Sequence, residues 1–414
     1  MGSRPERPLT RSRLRAAVAA WGVLSAGGAA QAAAVRVGLD RVQADAGRPL
    51  AGKRVGLVVH AASVSADGRH AIDVLRAAKV DVVRLFTPEH GLDGRAAAGE
   101  TIVGGVDPKS GLPIVSLYGE RTKPTADDLR GLDALVVDLQ DVGVRFYTYS
   151  STMLLCLEAA AEAGVELVVL DRPNPLGGDR WDGPRRGPES EVPLSLVSRA
   201  PGPLVHGLTL GEMARVANAA RPKPARLTVV AMEGWTRAMR WPDTGREWVA
   251  PSPNLRSAEA ALAYPGTCLF ESTTATEGRG TEAPFLLLGA PWVDAEALAA
   301  VKSAGFALRP ARFTPRASEA ARTPKHRDVE CAGVRVSVTD ASVTRPFELG
   351  LRLLVALRAQ KGFAWTREGA LDWLVGTRRL RESIERGETV EAMLEAQAAD
   401  HAAWERERNP FLLY

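Results

Sequence analysis

Five short apolar runs, with helical stretches between them, constrain this chain more than any other feature. They are Arg54-Val-Gly-Leu-Val-Val-His60, Val82-Val-Arg-Leu-Phe86, Pro113-Ile-Val-Ser-Leu-Tyr118, Ala134-Leu-Val-Val-Asp-Leu139 and Glu166-Leu-Val-Val-Leu170. Near-continuous apolar strands need cover on both faces, which a parallel sheet flanked by helices supplies. Helical patterns over 70–79 and 151–163 are placed to provide it. The pattern predicts an α/β fold with a Rossmann-like, doubly wound parallel sheet. Glycine and proline then crowd residues 177–205, which reads as a crossing into a second, smaller mixed α/β domain. The expected bounds are 36–185 for the first domain and 186–414 for the second, which completes a cleft. In the second domain, helices are expected near 210–220, 346–360, 367–376 and 389–408, strands at 227–231 and 333–339, and a loop-rich stretch at 233–282.

Charge excludes one broad class of partner. The formal net charge is +4, and Arg4, Arg7, Arg11, Arg13 and Arg15 against Glu6 account for all of it. The remaining body is neutral and has no general electrostatic reason to bind nucleic acid. The basic start, the small apolar stretch Ala16–Ala30 and the Ala30-Gln31-Ala32 pattern read as a secretory leader over residues 1–32. The expected location is periplasmic or extracellular, without stable membrane insertion once the leader is removed. Cys156, Cys268 and Cys331 are too few and scattered for a disulfide framework or a zinc site, and read as small buried residues.

In an open parallel sheet, ligands bind beyond the carboxyl ends of the strands. Polar groups gather at four such ends: His60, then Glu89 and His90, then Gln140, Asp141 and Arg145, then Asp171, Arg172 and Asn174. The first strand runs into His60-Ala-Ala-Ser-Val-Ser65 with no glycine fingerprint, so no nicotinamide or flavin cofactor is expected. Glu89 lies between Pro88 and His90-Gly91, and a carboxyl held at a strand end suits a general acid. Asp141 is the natural second carboxylate of a glycosidase pair. Arg145, Tyr147 and Tyr149 mix a cation with aromatic rings, as a sugar site would. Asn254, Glu277 and Arg279 lie in polar loops suited to hydrogen bonding across a cleft, and His206 joins them as a candidate contact. The histidines and carboxylates lack metal-site spacing, and no catalytic metal is expected.

Several runs in order resemble the exo-β-N-acetylmuramidases of the NamZ type. They are Phe86-Thr-Pro-Glu-His-Gly91, Leu117-Tyr-Gly119, Asp138-Leu-Gln-Asp-Val-Gly143, Arg145-Phe-Tyr-Thr-Tyr149, Leu170-Asp-Arg-Pro-Asn-Pro-Leu-Gly-Gly178, Pro251-Ser-Pro-Asn254, Tyr264-Pro-Gly-Thr-Cys-Leu-Phe-Glu271, Thr276-Glu-Gly-Arg-Gly280 and Leu412-Leu-Tyr414. The resemblance covers residue 36 to the C-terminus. It implies a Rossmann-like domain joined to a smaller α/β domain, with the site between them. It further implies release of N-acetylmuramic acid from the non-reducing end of peptidoglycan fragments, with Glu89 as the acid and no cofactor. The lactyl carboxylate of that sugar calls for an arginine, with Arg145 and Arg279 as candidates. The chain departs from the family at Val59-His60-Ala61-Ala62, where an asparagine-containing turn is usual. Two other readings are a non-catalytic muropeptide-binding protein and a metal-dependent hydrolase of another wall bond.

Overall fold

The structure is a computed structural model and describes residues 34–414. The expected leader, residues 1–32, lies outside the described residues. Twelve strands follow in chain order: β1 (Arg54–Val59), β2 (Asp81–Thr87), β3 (Gly105–Val106), β4 (Pro113–Ser116), β5 (Ala134–Asp138), β6 (Glu166–Leu170), β7 (Asp182–Arg185), β8 (Pro203–Val205), β9 (Leu227–Val230), β10 (Leu287–Ala290), β11 (Phe306–Phe313) and β12 (Cys331–Val338). The helices are α1 (Gly38–Ala44), α2 (Ala71–Ala77), α3 (Ala126–Leu129), α4 (Thr148–Ala163), α5 (Leu210–Ala219), α6 (Ala258–Thr267), α7 (Ala295–Ala299) and α8 (Pro346–Arg358), and four more follow between Ala370 and Arg408.

Seven strands form the main sheet in the order β3-β4-β2-β1-β5-β6-β9. Every pair in it is parallel except β3 with β4. The chain order reverses between β1 and β5, which makes their carboxyl ends the switch point of the sheet. Strand β5 is buried at every position, as expected of a central strand with both faces covered. The apolar residues of α1 and α2 pack one face, while α4 and α5 cover the other. Helix α5 starts at a capping box, in which Thr209 Oγ1 accepts Glu212 N–H and Glu212 Oε2 accepts Thr209 N–H.

The second sheet is antiparallel, in the order β10-β12-β11, and β7 pairs with β8 separately. Two features depart from the sequence reading. Strand β9 lies well beyond residue 185, yet it closes the edge of the main sheet beside β6. The glycine- and proline-rich stretch is therefore an excursion from the sheet, with β7 and β8 in it. In addition, one apolar core runs from Leu135 and Val137 of the main sheet to Val334, Val336 and Leu354 of the later elements. Helices α6 and α8 cross so closely that a Cβ on Gly266 would lie 1.9 Å from Pro346 O. This contact fixes the end of α6, from which the 3-10 turn Cys268–Ser272 carries Glu271 outward. All three cysteines are free and buried.

Candidate active site

The four strand ends do not share one open rim. At the switch point the chain fills its own crevice. His60 Nε2 accepts Gln140 N–H at 2.9 Å, and the His60 ring meets Tyr149 edge to face at 4.8 Å. Burial, then Arg172, hold the His60 imidazole well below its usual range, so it stays neutral. The end of β6 is consumed in the same way. Arg172 forms a buried ion pair with Asp138, with Nη2 and Oδ2 2.9 Å apart, and also donates to Val64 O. Asn174 donates to Leu208 O and accepts Leu176 N–H. Asp171 accepts from Thr209 Oγ1, Gly211 N–H and Tyr414 Oη.

The end of β2 brings its carboxyl to a cleft. Pro88 follows that strand, His90 takes a left-handed φ of 73° and Gly91 one of 74°, so the chain turns back at once. The turn leaves the Glu89 carboxyl at the wall of a narrow cleft lined also by His90, Ala98, Tyr147, Thr148, Tyr264 and Arg279. Glu89 is 8% exposed. Its Oε1 accepts Gly99 N–H at 2.9 Å and its Oε2 accepts the Thr148 hydroxyl at 2.8 Å. Burial, then the neighbouring Glu89 carboxylate, push the Tyr118 phenol above its ordinary range, so Tyr118 stays a neutral donor beside the acid. Burial also lowers His90, with Glu89 acting the other way. Its Nδ1 lies 2.8 Å from Ala96 O. That contact puts the proton of the neutral ring on Nδ1 and leaves Nε2 to accept.

Ala98 and Arg279 also line a wider cleft of about 510 Å³, together with Glu100, Glu271, Glu277 and Lys325. The two clefts thus share Ala98 and Arg279 as wall residues. Arg279 Nη1 bonds Glu271 at 2.5 Å and Glu277 at 3.2 Å, and Lys325 holds the other Glu277 oxygen at 3.2 Å. Burial opposes ionisation of Glu277, but Lys325 and Arg279 outweigh it and hold the carboxyl below its usual range. Burial likewise opposes the charge of Arg279, and Glu271 and Glu277 outweigh it. The Arg279 guanidinium stacks 5.1 Å over Phe285, and its buried Nε has no partner among the described residues.

Of the residues singled out in the sequence, Glu89, His90, Tyr147, Glu277 and Arg279 line these two clefts. The others do not line them. Arg145 is wholly buried, and its guanidinium donates to the carbonyls of Gly202, Pro184 and Val375. It ties chain segments together and cannot meet a substrate carboxylate. Tyr149 is wholly buried, and its hydroxyl donates to Pro251 O at 2.7 Å with Glu89 O at 3.1 Å. Arg172 and Asn174 are taken up as described, and His206 is buried with Nδ1 accepting Leu208 N–H. Asp141 is also away from the cleft lining. Its Oδ2 accepts Gly143 N–H at 2.7 Å and lies 3.6 Å from His206 Nε2. Gly143, at φ 79°, packs so tightly on Asn174 that a Cβ would fall 2.2 Å from Oδ1, so this corner is a structural knot. Asn254 braces the cleft wall by donating to Ala320 O. Thr148, Tyr118, Glu271 and Lys325 were not singled out. The first three stand inside quoted runs, whereas nothing local marks Lys325. Among the described residues no group of three or more His, Cys, Asp or Glu is placed to hold a metal ion.

A mostly buried carboxyl at a strand end in a cleft wall, with further carboxylates and a cation in the adjoining cleft, is compatible with glycosidase chemistry, which uses carboxyl groups. Family models described as the N-terminal and C-terminal parts of the exo-β-N-acetylmuramidase NamZ match residues 55–259 and 262–414, and the chain belongs to that family. It is 38% identical over 387 residues to the peptidoglycan β-N-acetylmuramidase NamZ of Bacillus subtilis, covering 92% of this chain and 91% of that protein. Crystal structures of two DUF1343 family proteins from Bacteroides fragilis superpose with TM-scores of 0.82 and 0.76. Each is 31% identical, over 92% of this chain and 99% of the other.

Proposed function

We propose that this glycosidase is exported and removes N-acetylmuramic acid from the non-reducing end of peptidoglycan fragments, with Glu89 as general acid. The observation that carries the reading is the position of Glu89. It is a carboxyl at the end of a sheet strand, shielded from water yet present in the cleft wall. Protonated, it can pass its proton to the glycosidic oxygen as the bond to the sugar breaks.

Arg279 supports the choice of sugar. Its Nη1 is held by Glu271 and Glu277, its Nε is buried, and Nη2 has no carboxylate partner among the described residues. A guanidinium at a cleft wall can meet a carboxylate through a charge-assisted hydrogen bond. The lactyl group of muramic acid supplies such a carboxylate, and N-acetylglucosamine does not. Tyr147 adds a buried hydroxyl without a partner among the described residues. Export rests on the basic start, apolar stretch and Ala30-Gln31-Ala32 pattern, and suits a wall substrate.

The test uses an aryl β-N-acetylmuramide whose phenol is a poor leaving group. Wild type should release the phenol, and Glu89→Gln should lower kcat by about 100-fold or more. Saturable calorimetric binding with no product from wild type would instead point to a muropeptide-binding protein.

A further inference from the structure

We infer that Thr148 is a positioning residue for the acid: its hydroxyl holds Glu89 Oε2 and supports the charge that develops there as the proton leaves. The inference rests on the reading of Glu89 as the acid. The two carboxylate oxygens are not equivalent. Oε1 faces the Gly99 N–H at 2.9 Å, a group that can only donate. That contact favours Oε1 as the carbonyl oxygen and leaves Oε2 to carry the acidic proton. Oε2 faces the Thr148 hydroxyl at 2.8 Å, and both side chains line the narrow cleft.

The step balances simply. The C–O bond to the sugar breaks, its electron pair goes to the departing oxygen, that oxygen takes the proton from Oε2, and the oxocarbenium-like carbon left behind gains its new bond from the oxygen of water. Negative charge then appears on the carboxylate in a site with little water. A hydroxyl already aimed at Oε2 strengthens its hydrogen bond as this happens, which lowers the barrier without tightening substrate binding. The backbone fixes that hydroxyl firmly. Thr148 is the first residue of α4, whose next residue, Tyr149, reaches back to Glu89 O at 3.1 Å. The first turn of α4 thus places Thr148 on the Glu89 carboxyl and Tyr149 near the Glu89 carbonyl.

Thr148→Val keeps the shape and removes the hydroxyl, and Thr148→Ser restores it. Two aryl β-N-acetylmuramides separate the roles, because a 2,4-dinitrophenyl group departs without protonation and a 4-methoxyphenyl group needs it. Thr148→Val should lose about ten- to a hundredfold in kcat on the methoxyphenyl substrate, with KM little changed. On the dinitrophenyl substrate it should stay within a few fold of wild type, and Thr148→Ser should recover most of the loss. Equal losses on both substrates, or no loss on either, would overturn the role. Glu89→Gln, run alongside, keeps the two questions apart. If it too is unaffected on the methoxyphenyl substrate, the acid assignment fails. If it alone is impaired, only the role of Thr148 fails.

Discussion

At the scale of single residues, the site depends on which charged groups are already committed. Arg145 and Arg279 look alike in sequence, each beside aromatic or polar residues in a conspicuous run. In the fold, Arg145 spends its donors on three carbonyls, while Arg279 lines the cleft with Nη2 clear of its carboxylate partners. Arg279→Met should therefore raise KM for a muramide by about tenfold or more, the worth of a charge-assisted pair. It should change KM much less for the matching glucosaminide, which lacks the lactyl group. Equal effects on both sugars would remove Arg279 from carboxylate recognition. The position of Glu89 was legible from Pro88 and the His90-Gly91 turn. The commitment of Arg145 was not, because Pro184, Gly202 and Val375 are brought to it only by the tertiary fold.

At the scale of elements, the sheet explains why only one strand end serves. The alternation of apolar runs and helices made a parallel sheet readable, and β1, β2, β4, β5 and β6 fall within or upon the predicted runs. The choice among strand ends was hidden, because it turns on hydrogen bonds between loops far apart in sequence. His60 reaches across the switch point to Gln140, and β9 joins the sheet after a long excursion. Burial of His60 has a pH consequence. Its folded-state pKa lies below the unfolded value, so the unfolded chain takes up the proton first as pH falls. The stability it contributes is complete above about pH 6.5 and is lost below that, by at most about 1.4 kcal/mol per pH unit for one group. Urea unfolding between pH 5 and 8 should show this slope, and His60→Gln should flatten it. An unchanged slope in His60→Gln would assign the acid sensitivity elsewhere, with the buried His90 next in line.

At the scale of the whole molecule, the chain closes on itself. The terminal Tyr414 hydroxyl donates to Asp171 at the end of β6 and accepts Met232 N–H, so the last residue is bonded to the end of the main sheet. Nothing in local sequence periodicity marks that contact. The leader is a separate matter, read from residues 1–32 alone. If it directs export, protein recovered from outside the cytoplasm should begin at Ala33, as N-terminal sequencing would show. Exported protein that still begins at Met1 would contradict cleavage after Ala32.

The most direct measurement is product mass from the disaccharide of N-acetylmuramic acid β-linked to N-acetylglucosamine, digested by the mature protein and by Glu89→Gln. Wild type should yield the two free monosaccharides, and Glu89→Gln should leave the disaccharide intact over the same period. A Glu89→Gln digest that matched wild type would contradict proton donation by Glu89.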